Sequence, residues 1–197
     1  MISSREDYFE FLKCEHTYLK RHGFLRIWVN TLFKPQHRFL LLLRTSEYLR
    51  NCSRGFFARK ILFNIVRYLK ARKGVRLGFS IPDNCIDRGL QLPHYGTLVI
   101  NSASRIGKNA RIHVDVNIGA VNRTWDAPII GDNVYIGPGC KLFGKIHIPD
   151  HCVIGANSVV NKSFHNSGFL IAGIPAREIK KIDSESVRPS FKSQNDS

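Results

Sequence analysis

Aliphatic side chains recur every six residues through the second half of this chain. A β-strand repeats every two residues and an α-helix every 3.6, so neither produces such a period. A six-residue period is typical of a parallel β-helix, in which each hexad supplies one short strand and one turn, and three hexads close a triangular coil. The repeated positions are Ile100, Ile106, Ile112, Ile118, Ile130, Ile136, Leu142, Ile148, Ile154 and Val160.

One aliphatic is missing from this frame, at position 124. We therefore expect residues 121–128 to protrude from the prism as a loop, and loops on rigid scaffolds often carry function.

Counting eighteen residues per coil predicts two stacked columns of aliphatic side chains inside the prism. Cys140 and Cys152 occupy the small inward position of their hexads and should be packing residues. The columns are Ile100, Ile118, Ile136 and Ile154, and separately Ile112, Ile130 and Ile148.

The first part of the chain has a helical period instead. Apolar residues at steps of three and four predict helical runs near 9–19, 25–33, 37–50 and 56–71, with Gly55 and Gly74 as boundaries. The sequence therefore predicts an α+β protein with three parts. These are a basic α-helical domain at 1–74, a β-helix domain at 75–181 and a disordered tail at 182–197.

Positive charge is concentrated in the helical part. The net charge is +15, and residues 1–80 hold 17 Lys and Arg against 5 Asp and Glu. Such a field attracts nucleic acid, an acidic membrane surface, a phosphorylated lipid carrier or an acidic glycan, although a solvated helix face explains it equally well. No apolar run reaches the ~20 residues of a membrane span. Five cysteines without a CxxC pair favour a reducing cytosol.

Three segments resemble the hexapeptide-repeat acyltransferases, specifically their serine acetyltransferase-like branch. They are residues 89–100 (GLQLPHYGTLVI), 129–139 (IIGDNVYIGPG), and 154–162 (IGANSVVNK) with the later GIPAR at 173–177. The preceding basic helices also resemble those of relatives that O-acetylate polysaccharides. The resemblance implies a left-handed β-helix, acetyl-CoA as co-substrate without a metal, and a homotrimer with active sites in clefts between prisms.

The resemblance also implies roles for individual residues. His94 matches the catalytic histidine, which acts as a general base because an imidazole titrates near working pH. The coenzyme A cleft is implied at five positions. The backbones of Pro138 and Ala156 would line a narrow slot for the pantetheine arm, and Lys162 and Arg177 would face the phosphates. These positions are Pro138, Ala156, Asn161, Lys162 and Arg177.

The sequence departs from the serine acetyltransferase pattern around the amino-acid site. Pro93 stands where an aspartate precedes the catalytic histidine, Phe79 replaces a second aspartate, and Ala127 replaces a histidine. His94 therefore lacks its orienting carboxylate. Asp87, Asp115 or a backbone carbonyl could substitute, and the sequence does not choose between them.

These losses argue against serine as the acceptor. The loop carries Arg123, Trp125 and Asp126, and Trp125 could stack on a sugar or pack on a neighbouring subunit. We therefore expect an O-acetyltransferase that moves acetyl from acetyl-CoA to a sugar hydroxyl of a surface polysaccharide or its precursor. It should be cytoplasmic, with peripheral contact at the inner membrane face through the basic helices.

Three alternatives remain. The first is a serine O-acetyltransferase, with serine as the acceptor in place of a sugar. The second is a non-catalytic trimeric scaffold, because fold does not prove function. The third is a metal-dependent carbonic anhydrase of the same fold, using His113, His147 and His151, but the histidine spacing disfavours it. Nucleic-acid binding is not expected because no recognised module is present.

Overall fold

The computed structural model describes residues 1–15, 34–52, 57–121 and 125–182. The helical run expected at 25–33, the boundary at Gly55, the loop residue Arg123 and all but the first residue of the expected tail lie outside these described residues. The division into three domains therefore stays a prediction.

Three helices are described: α1 (Arg5–Glu15), α2 (Pro35–Cys52) and α3 (Phe57–Leu77). The expected boundary at Gly74 is wrong, because α3 continues through it to Leu77. A Cβ atom at Gly74 would come within 2.6 Å of the Phe79 carbonyl oxygen. Glycine is therefore needed there for close packing of the helix against the first strand, not to end the helix.

Thirteen short strands follow within the described residues, and they form three faces of a prism. The first sheet has the order β1-β2-β5-β8-β11, the second β13-β12-β10-β7-β4, and the third β3-β6-β9. All pairs are parallel except β12 with β13. The strands are β1 (Phe79–Ser80), β2 (Leu98–Ile100), β3 (Arg105–Ile106), β4 (Arg111–Ile112), β5 (Val116–Gly119), β6 (Ile129–Ile130), β7 (Tyr135–Ile136), β8 (Lys141–Phe143), β9 (His147–Ile148), β10 (Val153–Ile154), β11 (Val159–Val160), β12 (Phe169–Gly173) and β13 (Ala176–Lys181).

The six-residue frame forms the core, as predicted. Each of its ten aliphatic residues is at most 3% exposed. Cys140 and Cys152 are fully buried between coils, and burial raises the pKa of both thiols. Their role as packing residues agrees with the sequence prediction, because a buried thiol with a raised pKa is a poor nucleophile.

The predicted columns are wrong only where they cross the loop, because the stacked pairs on either side of it are observed. Ile118 pairs with Leu142 and Ile112 pairs with Ile136, so these partners are 24 residues apart and not eighteen. Ile130 stacks on Ile106 instead. The pairing thus includes six additional residues without an additional side, so every later hexad lies one face away from its predicted place.

A buried arginine joins the helices to the prism. Arg44 of α2 is fully buried, and its guanidinium donates to the Glu15 carboxylate and to Glu47. It also donates to the backbone carbonyls of Ile86 and Asp87, each at 2.9 Å. The helical part is therefore docked on the prism through polar contacts that bury a full charge.

Candidate active site

His94 lies in an exposed turn that the helices hold in place. Gln36 Nε2 at the start of α2 donates to the Pro93 carbonyl oxygen at 3.3 Å. On the other side of the turn, the Gly96 N–H donates to the carbonyl oxygen of Leu77, the last residue of α3, at 2.9 Å. Both helices therefore fix the backbone beside His94, while the imidazole faces solvent.

Three of the predicted site residues share one edge of the prism. Pro138 and Ala156 each follow the second sheet by two residues, after the paired Ile136 and Ile154, and both are exposed. Gln91 pairs with Arg111 in the same sheet, which brings His94 to this edge. Successive coils lie about 4.8 Å apart, so Ala156 lies one coil beyond Pro138 along this edge. An exposed base and two small residues thus line one border of the prism.

The remaining predicted positions divide between two edges. Arg177 in β13 pairs with Ala172 in β12, close to the edge that carries Ala156, and its side chain is exposed. Asn161 and Lys162 follow the first sheet and lie on the next edge along the chain. The Lys162 ammonium lies 5.6 Å above the Phe164 ring, beside a cavity of about 250 Å³. One chain does not bring Lys162 to the edge that carries His94.

The carboxylates considered as partners of His94 are engaged elsewhere. Asp87 Oδ1 accepts the backbone N–H of Arg88 at 2.7 Å. Asp115 Oδ1 accepts from Lys141 Nζ at 2.9 Å. Neither contact includes His94, so its orienting partner must be sought among other groups.

The ring that faces His94 is another imidazole. The ring centroids of His94 and His113 are 6.0 Å apart at an interplanar angle of 49°, and the centroids of His113 and Tyr135 are 5.1 Å apart. Burial lowers the pKa of His113, and the charges of Arg111 and His94 lower it further. His113 is therefore biased towards the neutral form.

Sequence reasoning counted His113 as one position past the residue opposite His94 and weighed it only as a metal ligand. The pairing of Gln91 with Arg111 shows that the coil at this point contains twenty residues. By this offset Val114 lies opposite His94 and His113 lies opposite Pro93, one position earlier, and the rings of His94 and His113 meet across adjacent coils. The six-residue repeat of aliphatic residues begins only at Ile100, so it does not predict the twenty-residue coil that precedes it.

The other histidines lie apart from this pair. His147 is in β9 of the third sheet, and His151 lies in a turn next to Asn133. Across the described part of the chain, no three His, Cys, Asp or Glu side chains are placed to hold a metal ion together. The histidine set of the carbonic anhydrase alternative is therefore not assembled within one chain.

The larger cavity is not the predicted site. It has a volume of about 380 Å³ and lies between the helices and the third sheet, lined by residues that include Phe11, Cys85 and Asp132. Burial raises the pKa of the Cys85 thiol to about 11, so it is protonated at neutral pH and is not a nucleophile. None of the predicted site residues lines this cavity.

A prism of stacked hexads with an exposed histidine at one edge defines a hexapeptide-repeat protein. The family described as Bacterial transferase hexapeptide (six repeats) matches residues 127–162. Among the curated proteins, serine acetyltransferases are similar to this chain. It is 35% identical over 116 residues to the serine acetyltransferase of Staphylococcus xylosus, covering 58% of this chain and 53% of that protein. It is 31% identical over 143 residues to that of Buchnera aphidicola subsp. Schizaphis graminum, covering 71% and 51%.

The fold of this chain is similar to that of solved serine acetyltransferases. The structure of the Brucella abortus strain S19 enzyme in complex with coenzyme A superposes with a TM-score of 0.70 at 23% identity, over 90% of this chain and 70% of that one. This likeness confirms the α+β class, in which helices precede a left-handed parallel β-helix. The chain spans about half the length of the two curated relatives.

The predicted polysaccharide acceptor is wrong. The relatives are serine acetyltransferases, which supports the alternative acceptor, serine. The prediction gave too much weight to the basic helices as a binding field. Part of that charge is used inside the fold, since Arg44 is fully buried and Lys70 pairs with Asp83.

Proposed function

We propose that this chain is an acetyl-CoA-dependent O-acetyltransferase whose acceptor is the hydroxyl of serine. The observation that carries the proposal is the exposed imidazole of His94 on the same prism edge as Pro138 and Ala156. The similarity to serine acetyltransferases, one of them solved with coenzyme A, supports both substrates.

His94 acts as the general base in this proposal. It takes the proton of the serine hydroxyl as that oxygen attacks the acetyl carbonyl carbon, which forms the C–O bond of the ester. The carbon–sulfur bond then breaks, and the proton on His94 passes to the departing thiolate of coenzyme A. Proton transfer from a positioned base contributes about 10²–10⁴-fold to such reactions.

The coenzyme would lie along the prism edge. Pro138 and Ala156 carry small side chains on successive coils, which leaves a shallow border for the pantetheine arm. Arg177 would contact the phosphates of the coenzyme from the same edge. Asn161 and Lys162 lie on the next edge, so they would reach the coenzyme from an adjacent prism of a homotrimer.

Release of coenzyme A measured with L-serine and acetyl-CoA tests this function. Replacing the imidazole by His94→Ala should lower kcat/KM by about 10²–10⁴-fold. His147→Ala is the matched control, because His147 is an exposed histidine of the third sheet. Absence of serine-dependent release, or equal activity in His94→Ala and the parent, would refute the proposal.

We also propose that α3 contacts an anionic membrane surface. With about 3.6 residues per turn, Phe57, Ile61 and Tyr68 fall on the side opposite the buried Val66. Leu62 and Leu69 lie beside Val66 on the other side of the helix and are also exposed. The helix carries seven Lys and Arg and no acid, which is the composition of an interfacial helix. Its exposed large apolar residues are Phe57, Ile61, Leu62, Ile65, Tyr68, Leu69 and Val75. Across the described helices, none is both long and apolar enough to span a bilayer.

Sedimentation with vesicles tests this contact. The chain should sediment with phosphatidylserine-containing vesicles and not with pure phosphatidylcholine vesicles at the same salt concentration. Ile61→Asp combined with Ile65→Asp should abolish the association, whereas Val99→Asp, on an exposed position of β2, should not. Equal sedimentation with both kinds of vesicle would refute a charge-directed contact.

A further inference from the structure

The catalytic base has an unusual neighbour. General-base histidines are commonly oriented by a hydrogen-bond acceptor on the ring nitrogen that does not face the substrate. The two candidate carboxylates of this chain bond to Arg88 and Lys141 instead. The ring adjacent to His94 is that of His113.

One ring nitrogen of His113, beside His94, has no hydrogen-bond partner among the described residues. This atom, Nε2, is buried. Leaving such a group unsatisfied costs about 1–3 kcal/mol, so a native site rarely keeps one without a use. Tyr135 packs on the same ring and limits its movement.

We infer that His113 is the positioning residue for His94, an inference that rests on the proposed function. The buried Nε2 of His113 accepts the N–H of His94, and this bond turns the second nitrogen of His94 towards the acceptor hydroxyl. When His94 takes the proton of that hydroxyl, His113 keeps its own proton and stabilises the imidazolium as a neutral acceptor.

The geometry allows this bond with a small movement. At 6.0 Å between centroids the rings are adjacent, and the exposed His94 can rotate to bring a ring nitrogen within about 3 Å of His113. Catalytic hydrogen bonds are often long before substrate binds and shorten in the complex. The lowered pKa of His113 keeps Nε2 available as an acceptor at neutral pH.

A double-mutant cycle tests the inference. His113→Leu should lower kcat for serine acetylation about 10- to 100-fold and leave KM for both substrates within about twofold. His113→Gln, which keeps a hydrogen-bonding group, should recover part of the loss. In the His94→Ala background, His113→Leu should cause no further loss, because a positioning residue acts only through the base.

The outcomes separate this inference from the proposed function. An equal loss in both backgrounds, or none in the parent, would overturn the role of His113 while His94 remains the base. If no variant acetylates serine, the proposed function fails, and the ¹⁵N signals of the His94 ring decide the inference. A change in those signals in His113→Gln, with the fold verified by circular dichroism, supports the bond, and unchanged signals overturn it.

Discussion

Replacing Arg44 should weaken the docking of the helices on the prism. Its guanidinium is fully buried and makes contacts in two directions, to Glu15 and Glu47 on the helices and to the carbonyls of Ile86 and Asp87 on the prism. Arg44→Met preserves much of the side-chain volume but removes every one of these donors. The carboxylates and carbonyls would then be buried without their partner.

The expected loss follows from the burial. Removing one partner of a buried ion pair typically costs about 3–5 kcal/mol, because the other charge stays in a poorly solvated site. Glu15 would contribute most of this cost, since its side chain is fully buried and one of its carboxylate oxygens already lacks a partner among the described residues. Burial raises the pKa of the Glu15 carboxyl even beside Arg44, so without the arginine its charged form becomes less favourable still.

Urea denaturation at fixed protein concentration measures this effect. We expect Arg44→Met to reduce the free energy of unfolding by about 3–5 kcal/mol. Arg50→Met is the control, because the Arg50 side chain in the same helix is 58% exposed and its Nη1 atom lies as far as 3.8 Å from Asp83 Oδ2. Loss of this exposed ion pair should cost less than about 1 kcal/mol. Arg44→Met with Glu15→Leu should recover part of the stability. Equal losses for Arg44→Met and Arg50→Met would refute the reasoning.

Three further predictions concern the prism and its edge. Gly137→Ala should lower the free energy of unfolding by about 1–3 kcal/mol in urea, because its Cβ would lie 2.9 Å from backbone atoms of the next coil. Gly119→Ala should cost less than half of that, since only a side-chain oxygen lies near, at 3.2 Å, and similar losses would contradict the packing argument. Folding lowers the pKa of His113 below its usual value of 6.5, so the unfolded state takes up the His113 proton first as the pH falls. Stability from this group is complete above about pH 6.5 and is lost below it. The parent should therefore lose more stability than His113→Leu between pH 7.5 and 5.5, and parallel curves would contradict this. Deleting residues 121–126, including the exposed Trp125, restores eighteen-residue spacing and should change the free energy of unfolding by less than about 1 kcal/mol. A larger loss would show that the loop stabilises the prism.

The sequence predicts the prism well because burial repeats with the hexads. A side chain that points inwards in every hexad must be aliphatic, so Ile100, Leu142 and Val160 reveal the fold without any partner being known. The stacking of those residues is a different matter. Ile118 meets Leu142 only because six additional residues precede the next strand without adding a side. The missing aliphatic at position 124 marks the place, but the predicted columns still counted those six residues as a hexad.

The candidate site is predictable only in part, for a related reason. His94 is identified by its motif, and Pro138 and Ala156 share an edge because they are one regular coil apart. The neighbour of His94 depends instead on an irregular coil of twenty residues. Glycines at positive φ make such a coil possible, with φ of 82° at Gly89 and 150° at Gly96.

The helical part is coupled to the edge that carries His94 and is more than a source of charge. The hydrogen bond from Gln36 to Pro93 and that from Gly96 to Leu77 fix both sides of the His94 turn. Gln36 belongs to the same helix as Arg44, whose contacts dock that helix on the prism. Removing the contacts of the buried arginine therefore loosens the frame that holds His94, because one helix carries both sets of contacts. Stability at the docking interface and the position of the imidazole are thus linked through α2.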